Sequence, residues 1–435
     1  MLRTHSSRCA LPRSVADALN RESRRVYSQT LIWQYRIYRR TGIWLSPSPS
    51  ERLGDDLRST TLHAPSRDAA QQAVHQACKT AQANRARGGK YPHKRKWYRT
   101  TIWKSTGLRV RDGRRRLARA RGLEPVMVAL PPALAEAPPA ACVEMRLVYD
   151  RGAKRYHWHL VVDDGRRPPV APGAQTLAAD LGEIHPAAVA NAQGDVVIFS
   201  ARDRRALNQY RHKRLASLQA RQATCTRGSR RWKRLKRRKV ALLARNNRQR
   251  RDIEHKVTRA IANHAQQQRA RRLVVGDVRD VGKGKRLNAN AQQKVSGWSH
   301  GRQIAYLTSK LAVEGIVLAR QSEAYSSKTC CGGGAQNKPK GRTYRCGGCE
   351  LVCHRDANGA VNQVSKAVYG RYRRIQPRTI MYRRAFGRSS RDTGHVACLQ
   401  RQEAAALEGA RSITSVVALT LILPGCVLLW SFRHI

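Results

Sequence analysis

This sequence is short of acidic residues for its basic content. Its 435 residues include 28 Asp and Glu against 85 Lys and Arg, a formal net charge of +57. A compact chain with that imbalance repels itself unless a polyanion offsets it. This points to nucleic acid, with counterion release driving much of the affinity. An anionic membrane surface or a ribosome is the plainer alternative. The opening residues, MLRTHSSRCALPRS, lack the apolar run of a secretory signal. The 11 cysteines, an odd number, lack the regular spacing of a secreted disulfide scaffold; five fall between Cys330 and Cys353. That pattern reads as an intracellular chain with one metal-type cluster. One long apolar run, Ile413 to Phe432, is interrupted by Pro424 and Gly425. It reads as a poorly ordered extension rather than a membrane span.

What is abundant is Arg, spread almost end to end, which suits bidentate phosphate contacts along an extended partner. Helices are expected from about Ser14 to Gly42 and from Ser66 to Arg87, separated by the SPSPS linker. Residues 1–90 therefore read as a helical domain. From Tyr91 to Lys104 basic and aromatic residues alternate, as they do where rings stack on bases while cations hold phosphates. Tyr91, Lys94, Arg95, Lys96, Trp97, Tyr98, Arg99, Trp103 and Lys104 are the candidates. The plainer alternative is a strand whose Trp97, Tyr98 and Trp103 face a core. Strands are expected at Pro125–Leu130, Val143–Tyr149 and Tyr156–Val162, the last two flanking the turn-like DRGAK. Residues 91–172 thus read as a small antiparallel β domain.

After the PPVAPG linker the pattern changes to strands at Thr176–Ala179, Ala187–Asn191 and Val196–Phe199. A long basic helical hairpin follows over 204–271, with its turn at Gly228-Ser229 and a cationic stretch of Arg230, Arg231, Trp232, Lys233, Arg234, Lys236 and Arg237. One sign of charge dominates this hairpin, so a nucleic-acid face is favoured over a merely solvated one. Then come a strand at Arg272–Val275, a helix at Ser299–Glu314, a strand at Ile316–Ala319, the cysteine-rich segment and a helix at Asp356–Val368. A three-stranded meander followed by alternating helix and strand resembles the ribonuclease H-like α/β order. In that fold acids gather at the end of the first strand, near its neighbours, and on the last helix. Mg²⁺ needs such hard oxygen ligands.

Several motifs resemble the TnpB (OrfB) proteins of bacterial insertion sequences, RNA-guided nucleases related to type V CRISPR effectors. Asp180-Leu181-Gly182 is similar to the family's first RuvC motif, and His354-Arg355-Asp356-Ala357-Asn358-Gly359-Ala360 to its third. Tyr325 to Cys330 is similar to the family's stretch leading into its zinc ribbon, and Cys346-Gly347-Gly348-Cys349 to that ribbon's second half. The resemblance covers about residues 15–370. It implies a RuvC-like nuclease domain at 173–375 with a zinc-ribbon insert at 326–352, a wedge-type barrel for 91–172 and an extension at 376–435. It further implies a guide RNA and a double-stranded DNA target as partners, two Mg²⁺ ions, a structural Zn²⁺, and no small-molecule substrate. A monomer with its RNA, in the cytoplasm with the nucleoid, is the expected state.

Two departures matter. The family's second RuvC motif ends a strand in Glu-Asp, whereas this chain reads Val274-Val275-Gly276-Asp277. Either the nuclease is dead, or Asp277 takes over, or another acid reaches the metals. Glu323, just past the strand that should lie beside Asp277, is the favoured acid, since neighbouring strands sit about 4.8 Å apart. Asp180, Glu323 and Asp356 are then the expected catalytic Mg²⁺ ligands. The second departure is in the ribbon. Tetrahedral Zn²⁺ wants four ligands, yet Gly333 stands where the partner of Cys330 belongs. Cys330, Cys346 and Cys349 are the expected ligands, with Cys331, Cys353 or His354 as candidates for the fourth. The competing functions are a nuclease-dead RNA-guided DNA-binding repressor or decayed relic, and a guide-free basic RNA-binding protein. The last accounts for the charge but not for the placed acids.

Overall fold

A computed structural model of the chain describes residues 1–53, 57–94, 97–111, 114–130, 141–278, 286, 288–339, 341–384, 395–397 and 399–400. The chain divides into two compact units, Met1–Pro168 with Lys213–Arg248, and Pro169–His212 with Gln249–Ile435.

The first unit opens with strand β1 (Leu2–Arg8), followed by helices α1 (Arg13–Thr41), α2 (Pro47–Leu53) and α3 (Ala64–Ala83). Strands β2 (Thr101–Lys104), β3 (Leu108–Arg111), β4 (Arg114–Leu117), β5 (Val126–Ala129), β6 (Cys142–Asp150) and β7 (Arg155–Asp163) complete it. β1 was not expected from the sequence. It lies antiparallel to β7 at the edge of a four-stranded sheet ordered β1-β7-β6-β2. The amino terminus is pinned there by Asp163 and Asp164, at 2.7 and 2.8 Å. β3, β4 and β5 form a second, three-stranded sheet. Leu19 and Val26 of α1 and Ala70 of α3 share one core with Trp103, Leu147 and Trp158 of the strands. Asn20 is buried in that core, and its amide is satisfied by the Leu147 carbonyl and the Thr101 backbone N–H, as burial of a polar side chain requires.

The second unit contains β8 (Gln175–Asp180), β9 (Ala187–Ala190) and β10 (Asp195–Ser200), then the paired helices α4 (Arg202–Ala223) and α5 (Arg230–Gln267). The division between units falls inside both helices, so the basic hairpin tip counts with the first unit. β11 (Ala270–Gly276), α6 (Ala289–Gly297), α7 (His300–Val313), β12 (Val317–Gln321), β13 (Thr343–Arg345), β14 (Leu351–His354) and α8 (Arg355–Tyr369) follow, and then β15 (Thr379–Arg384), β16 (His395–Ala397) and β17 (Leu399–Gln400). The main sheet runs β12-β11-β8-β9-β10-β15-β16. β8, β9 and β10 form an antiparallel meander, and β11 and β12 add parallel to β8 on its other side. Ile253, Val257 and Ile261 of α5 with Ile304, Leu307 and Leu311 of α7 pack on one face. Ala357, Ala360, Val361 and Val364 of α8 and the cysteine segment pack on the other. Because both faces are covered, the central strands read as continuous apolar runs. Ala178, Ala188 and Ala190 face α8 and let it lie close to the sheet.

The sequence reading placed residues 376–435 in an extension. Instead, residues 379–384 form β15, which pairs parallel with the outer edge of β10. Asp195 holds the start of that strand through Arg378, at 2.7 Å, and the Thr379 hydroxyl, at 2.8 Å. An open edge on β10 and a buried Ile380 explain the docking. The apolar run 413–432 lies outside the described residues. Among those described, no helix is long and apolar enough to cross a membrane.

Candidate functional site

Asp180 and Glu323 lie where β8, β11 and β12 end, and the charges of Glu323 and Asp356 act on Asp180, but the ligand oxygens of Asp180, Glu323 and Asp356 do not all fall within 4.8 Å of one another. Asp180 is the last residue of β8. Its neighbour β11 ends at Gly276, paired with Gln321 at the end of β12. The Asp277 amide donates to the Gln321 carbonyl at 2.7 Å, which carries the pairing one residue further. Glu323 follows two residues later and turns back over β11. A Cβ built on Gly276 would overlap the Glu323 carboxylate and its Cγ. The glycine is therefore what leaves room for Glu323.

The segment carrying Glu323 is stapled by α8. Asn362 donates to the carbonyls of Ser326 and Thr329 at 2.8 and 2.7 Å. Asn358 donates to Thr329 at 2.9 Å and accepts from the Cys331 amide at 3.0 Å. Tyr372 donates to the Ala324 carbonyl at 2.5 Å, and Lys366 to that of Ser322 at 3.2 Å. The two asparagines were not singled out from the sequence. Their signal was there: Asn at i and i+4 on the apolar face of a helix must find partners once buried.

Asp356 sits in the first turn of α8, where a carboxylate suits the helix dipole. His354 caps the helix, its Nδ1 accepting from the Asp356 amide at 3.1 Å. Arg342 approaches the Asp356 carboxylate at 3.1 and 3.4 Å. Gly359, one turn along, lets Asp180 press against the helix: a Cβ there would lie 2.5 Å from Asp180 Oδ2. Burial, then the charges of Glu323 and Asp356, push the Asp180 carboxyl well above the usual range, with Arg355 opposing them. Burial, then the charge of Asp277, pushes Glu323 up to about 7. Glu323 Oε1 is buried with no hydrogen-bond partner. Two carboxyls raised by burial, one of them with an unsatisfied oxygen, are the kind of donor that suits a hard cation.

One further residue, which the sequence did not flag, stands beside Asp356. His185, on the loop between β8 and β9, brings a ring nitrogen within 4.8 Å of ligand atoms of both His354 and Asp356. The two imidazoles meet edge to face, ring centroids 5.4 Å apart.

In the cysteine segment Cys330, Cys346 and Cys349 converge, their sulfurs all within 4.8 Å of one another, and Cys330 and Cys349 are 3.4 Å apart. Cys331, a sequence candidate for the fourth ligand, is not in that group. It is buried among α8 and strand residues, with its amide on Asn358. His354 belongs with His185 and Asp356 rather than with the sulfurs. A Cβ on Gly333 would lie 2.8 Å from both the Cβ and the sulfur of Cys349, so Cys349 takes up space that a side chain there would need.

The proposed nucleic-acid residues separate into groups. Trp103 is a correction: it is 1 % exposed and packs near Trp158 in the core of the first unit, because alternate residues of β2 point inward. Of the described residues of the segment Tyr91–Lys104, for which a strand was the alternative reading, only Thr101–Lys104 form a strand. Lys104 bonds Gln72. Tyr98 packs edge-on against Tyr149, Tyr91 lies 5.0 Å from Trp44, and Arg99 stacks 3.8 Å over the Tyr27 ring. Tyr91, Arg99, Tyr27, Gln76 and His93 line an open cleft of about 690 Å³. Trp97 is 67 % exposed and Lys94 is exposed; Arg95 and Lys96 lie outside the described residues. On α5, Arg230, Arg231, Lys233, Arg234, Lys236 and Arg237 are exposed, and Lys236 sits 4.9 Å over the half-buried Trp232.

Two family models match the chain: OrfB of the IS605 type, described as a probable transposase, over residues 159–282, and a Cas12f1-like TNB domain over 300–363. No curated protein matches. A Cas12f1–sgRNA–target DNA complex is 13% identical, covering 81% of this chain and 83% of that one, with a TM-score of 0.56. CasPhi-2 (Cas12j) bound to crRNA is 10% identical over 84% of this chain and 98% of that one, with a TM-score of 0.44. The chain thus resembles the TnpB/OrfB proteins and the type V effectors in sequence over the two matched segments. It shares a mixed α/β fold with the Cas12f1 complex.

Proposed function

We propose that this chain is an RNA-guided DNA endonuclease of a transposable element, cleaving phosphodiester bonds at a RuvC-like, ribonuclease H-type centre of Asp180, Glu323 and Asp356. The observation that carries the reading is the seat of Glu323. Its carboxylate occupies the space left by Gly276, beside the strand end where the family pattern has its Glu. The strand order, a meander with two parallel strands beside it, supports the same centre.

Asp180, Glu323 and Asp356 would hold two Mg²⁺ ions, which when bound would supply an activated water and stabilise the leaving oxygen. The chain's own contribution is positional. α8 and Tyr372 staple the Glu323 segment, Gly276 and Gly359 admit two carboxylates against backbone, and Arg342 orients Asp356. Burial, and then the neighbouring charge of Asp277, raise Glu323. Cys330, Cys346 and Cys349 would hold a structural Zn²⁺.

The partners are a guide RNA and double-stranded DNA. The excess of 57 positive charges, the exposed cations of α5, and Lys94 and Trp97 favour them, and the Cas12f1 neighbour is itself a complex with guide RNA and target DNA. Base pairing with the guide, rather than side-chain contacts, would read the target. Residues 1–90 and 91–172 would serve as recognition and wedge-type segments, and 173–375 as the nuclease domain.

The test is cleavage of guide-matched DNA by the chain with its co-purified RNA and Mg²⁺. Wild type should cut, and Glu323→Gln should bind RNA equally but not cut. Normal cutting by Glu323→Ala would overturn the assignment.

A further inference from the structure

The acidic centre has a nitrogen-bearing side that the nuclease reading does not use. His185, 7 % exposed, has its Nδ1 buried and without a hydrogen-bond partner. Ligand atoms of His185, His354 and Asp356 all lie within 4.8 Å of one another. Three elements bring them together: the β8–β9 loop carries His185, the end of β14 carries His354, and the first turn of α8 carries Asp356. A buried imidazole nitrogen with no partner costs free energy, and two imidazoles with one carboxylate form a recurrent set for transition-metal ions.

We propose that His185, His354 and Asp356 bind a divalent transition-metal ion of the Mn²⁺, Co²⁺ or Zn²⁺ class. Mg²⁺ favours oxygen donors, whereas imidazole suits these softer cations. The site therefore selects among metals in a way that the carboxylates alone do not. His185 is the ready ligand. His354 must exchange a bond, because a neutral imidazole has one lone pair and Nδ1 presently accepts the Asp356 amide at 3.1 Å. Loading thus replaces the cap of α8. Asp356 keeps lone pairs free beside the Arg342 contact, since a carboxylate accepts at about four positions. The inference shares Asp356 with the nuclease reading but does not require catalysis.

Mn²⁺ is the probe. The full chain with its RNA, stripped of metal by chelation, is loaded with Mn²⁺ and studied by pulsed electron paramagnetic resonance, which detects ¹⁴N of a ligating imidazole. Thiolates and carboxylates give no such coupling. The expected result is ¹⁴N coupling in wild type that is lost in His185→Gln and retained in Glu323→Gln. Bound Mn²⁺ without ¹⁴N coupling in wild type overturns the proposal, whatever the variants do, as does unchanged coupling in a folded His185→Gln. Guided DNA cleavage in Mn²⁺ is scored in parallel. Coupling without cleavage supports this site while removing the nuclease reading, and cleavage without coupling does the reverse.

Discussion

Glu323 and Gly276 are steric complements: the Glu323 carboxylate fills the volume that any side chain on residue 276 would need. The two positions are joined through the β11–β12 pairing, Gly276 opposite Gln321. Glu323 as placed requires that position 276 stay small.

Gly276→Ala should therefore spare the fold and remove the activity. The displaced atoms are the end of a flexible side chain, and Gly276 is not left-handed, so stability should change by about 1 kcal/mol or less. Cleavage should fall to background. Gly276→Glu combined with Glu323→Ala should restore part of it by returning the acid to β11. Melting curves and a nicking assay on the three proteins check both halves.

The raised Glu323 pKa gives a signed pH dependence. A carboxyl at about 7 in the fold, against 4.5 for its ordinary value, binds more protons folded than unfolded between those limits. Metal-free protein should be most stable below about pH 4.5 with respect to this group, and lose that contribution as pH rises to about 7, by about 3 kcal/mol at most. Asp180 acts in the same direction. Melting temperature against pH in chelator should fall over that window, and saturating Mg²⁺ should flatten the slope. An equal slope in Glu323→Gln would refute the account.

The two tryptophans of the basic–aromatic segment should behave oppositely. Trp103→Ala leaves a hole in the core and should cost about 3–5 kcal/mol of stability. Trp97→Ala should leave stability within about 0.5 kcal/mol and weaken RNA binding by the loss of a stacking platform, about 1–3 kcal/mol per base. Thermal melts and filter binding at fixed salt separate them.

Gly333→Cys should complete the sulfur trio. The new Cβ would come 2.8 Å from the Cys349 Cβ and sulfur, so Cys349 must shift to admit it, while Gly333 is not held in a left-handed conformation. Under reducing conditions the variant should hold Zn²⁺ more tightly than wild type, because the fourth thiolate closes a tetrahedral site. Competition with a chromogenic chelator reads this directly; release as fast as wild type would place the missing ligand elsewhere.

Much of the fold was legible because its signals are local. The runs in β8, β9 and β10 are apolar and short, Gly228 marks the hairpin turn, and the Ala-rich α3 and the amphipathic α7 follow their own periodicity. Asp180 and Asp356 were singled out through motifs, and the structure places both against α8. β1 was not, because LRTHSSR has neither alternation nor an apolar run and is held by pairing with β7 and by the ion pairs of the amino terminus. β15 escaped for the same reason: its register comes from β10.

The sequence by itself determined the charge, and with it the polyanionic partner class. It also marked the strands and helices from β8 to α8, the candidate acids Asp180 and Asp356, and the glycine at position 276. Only the tertiary structure decided what fills the space over that glycine, which face Trp103 takes, where His185 goes, and which cysteines converge. Each of those depends on segments far apart in the chain meeting at one sheet edge, and side-chain pattern within a segment carries no record of what will stand opposite it.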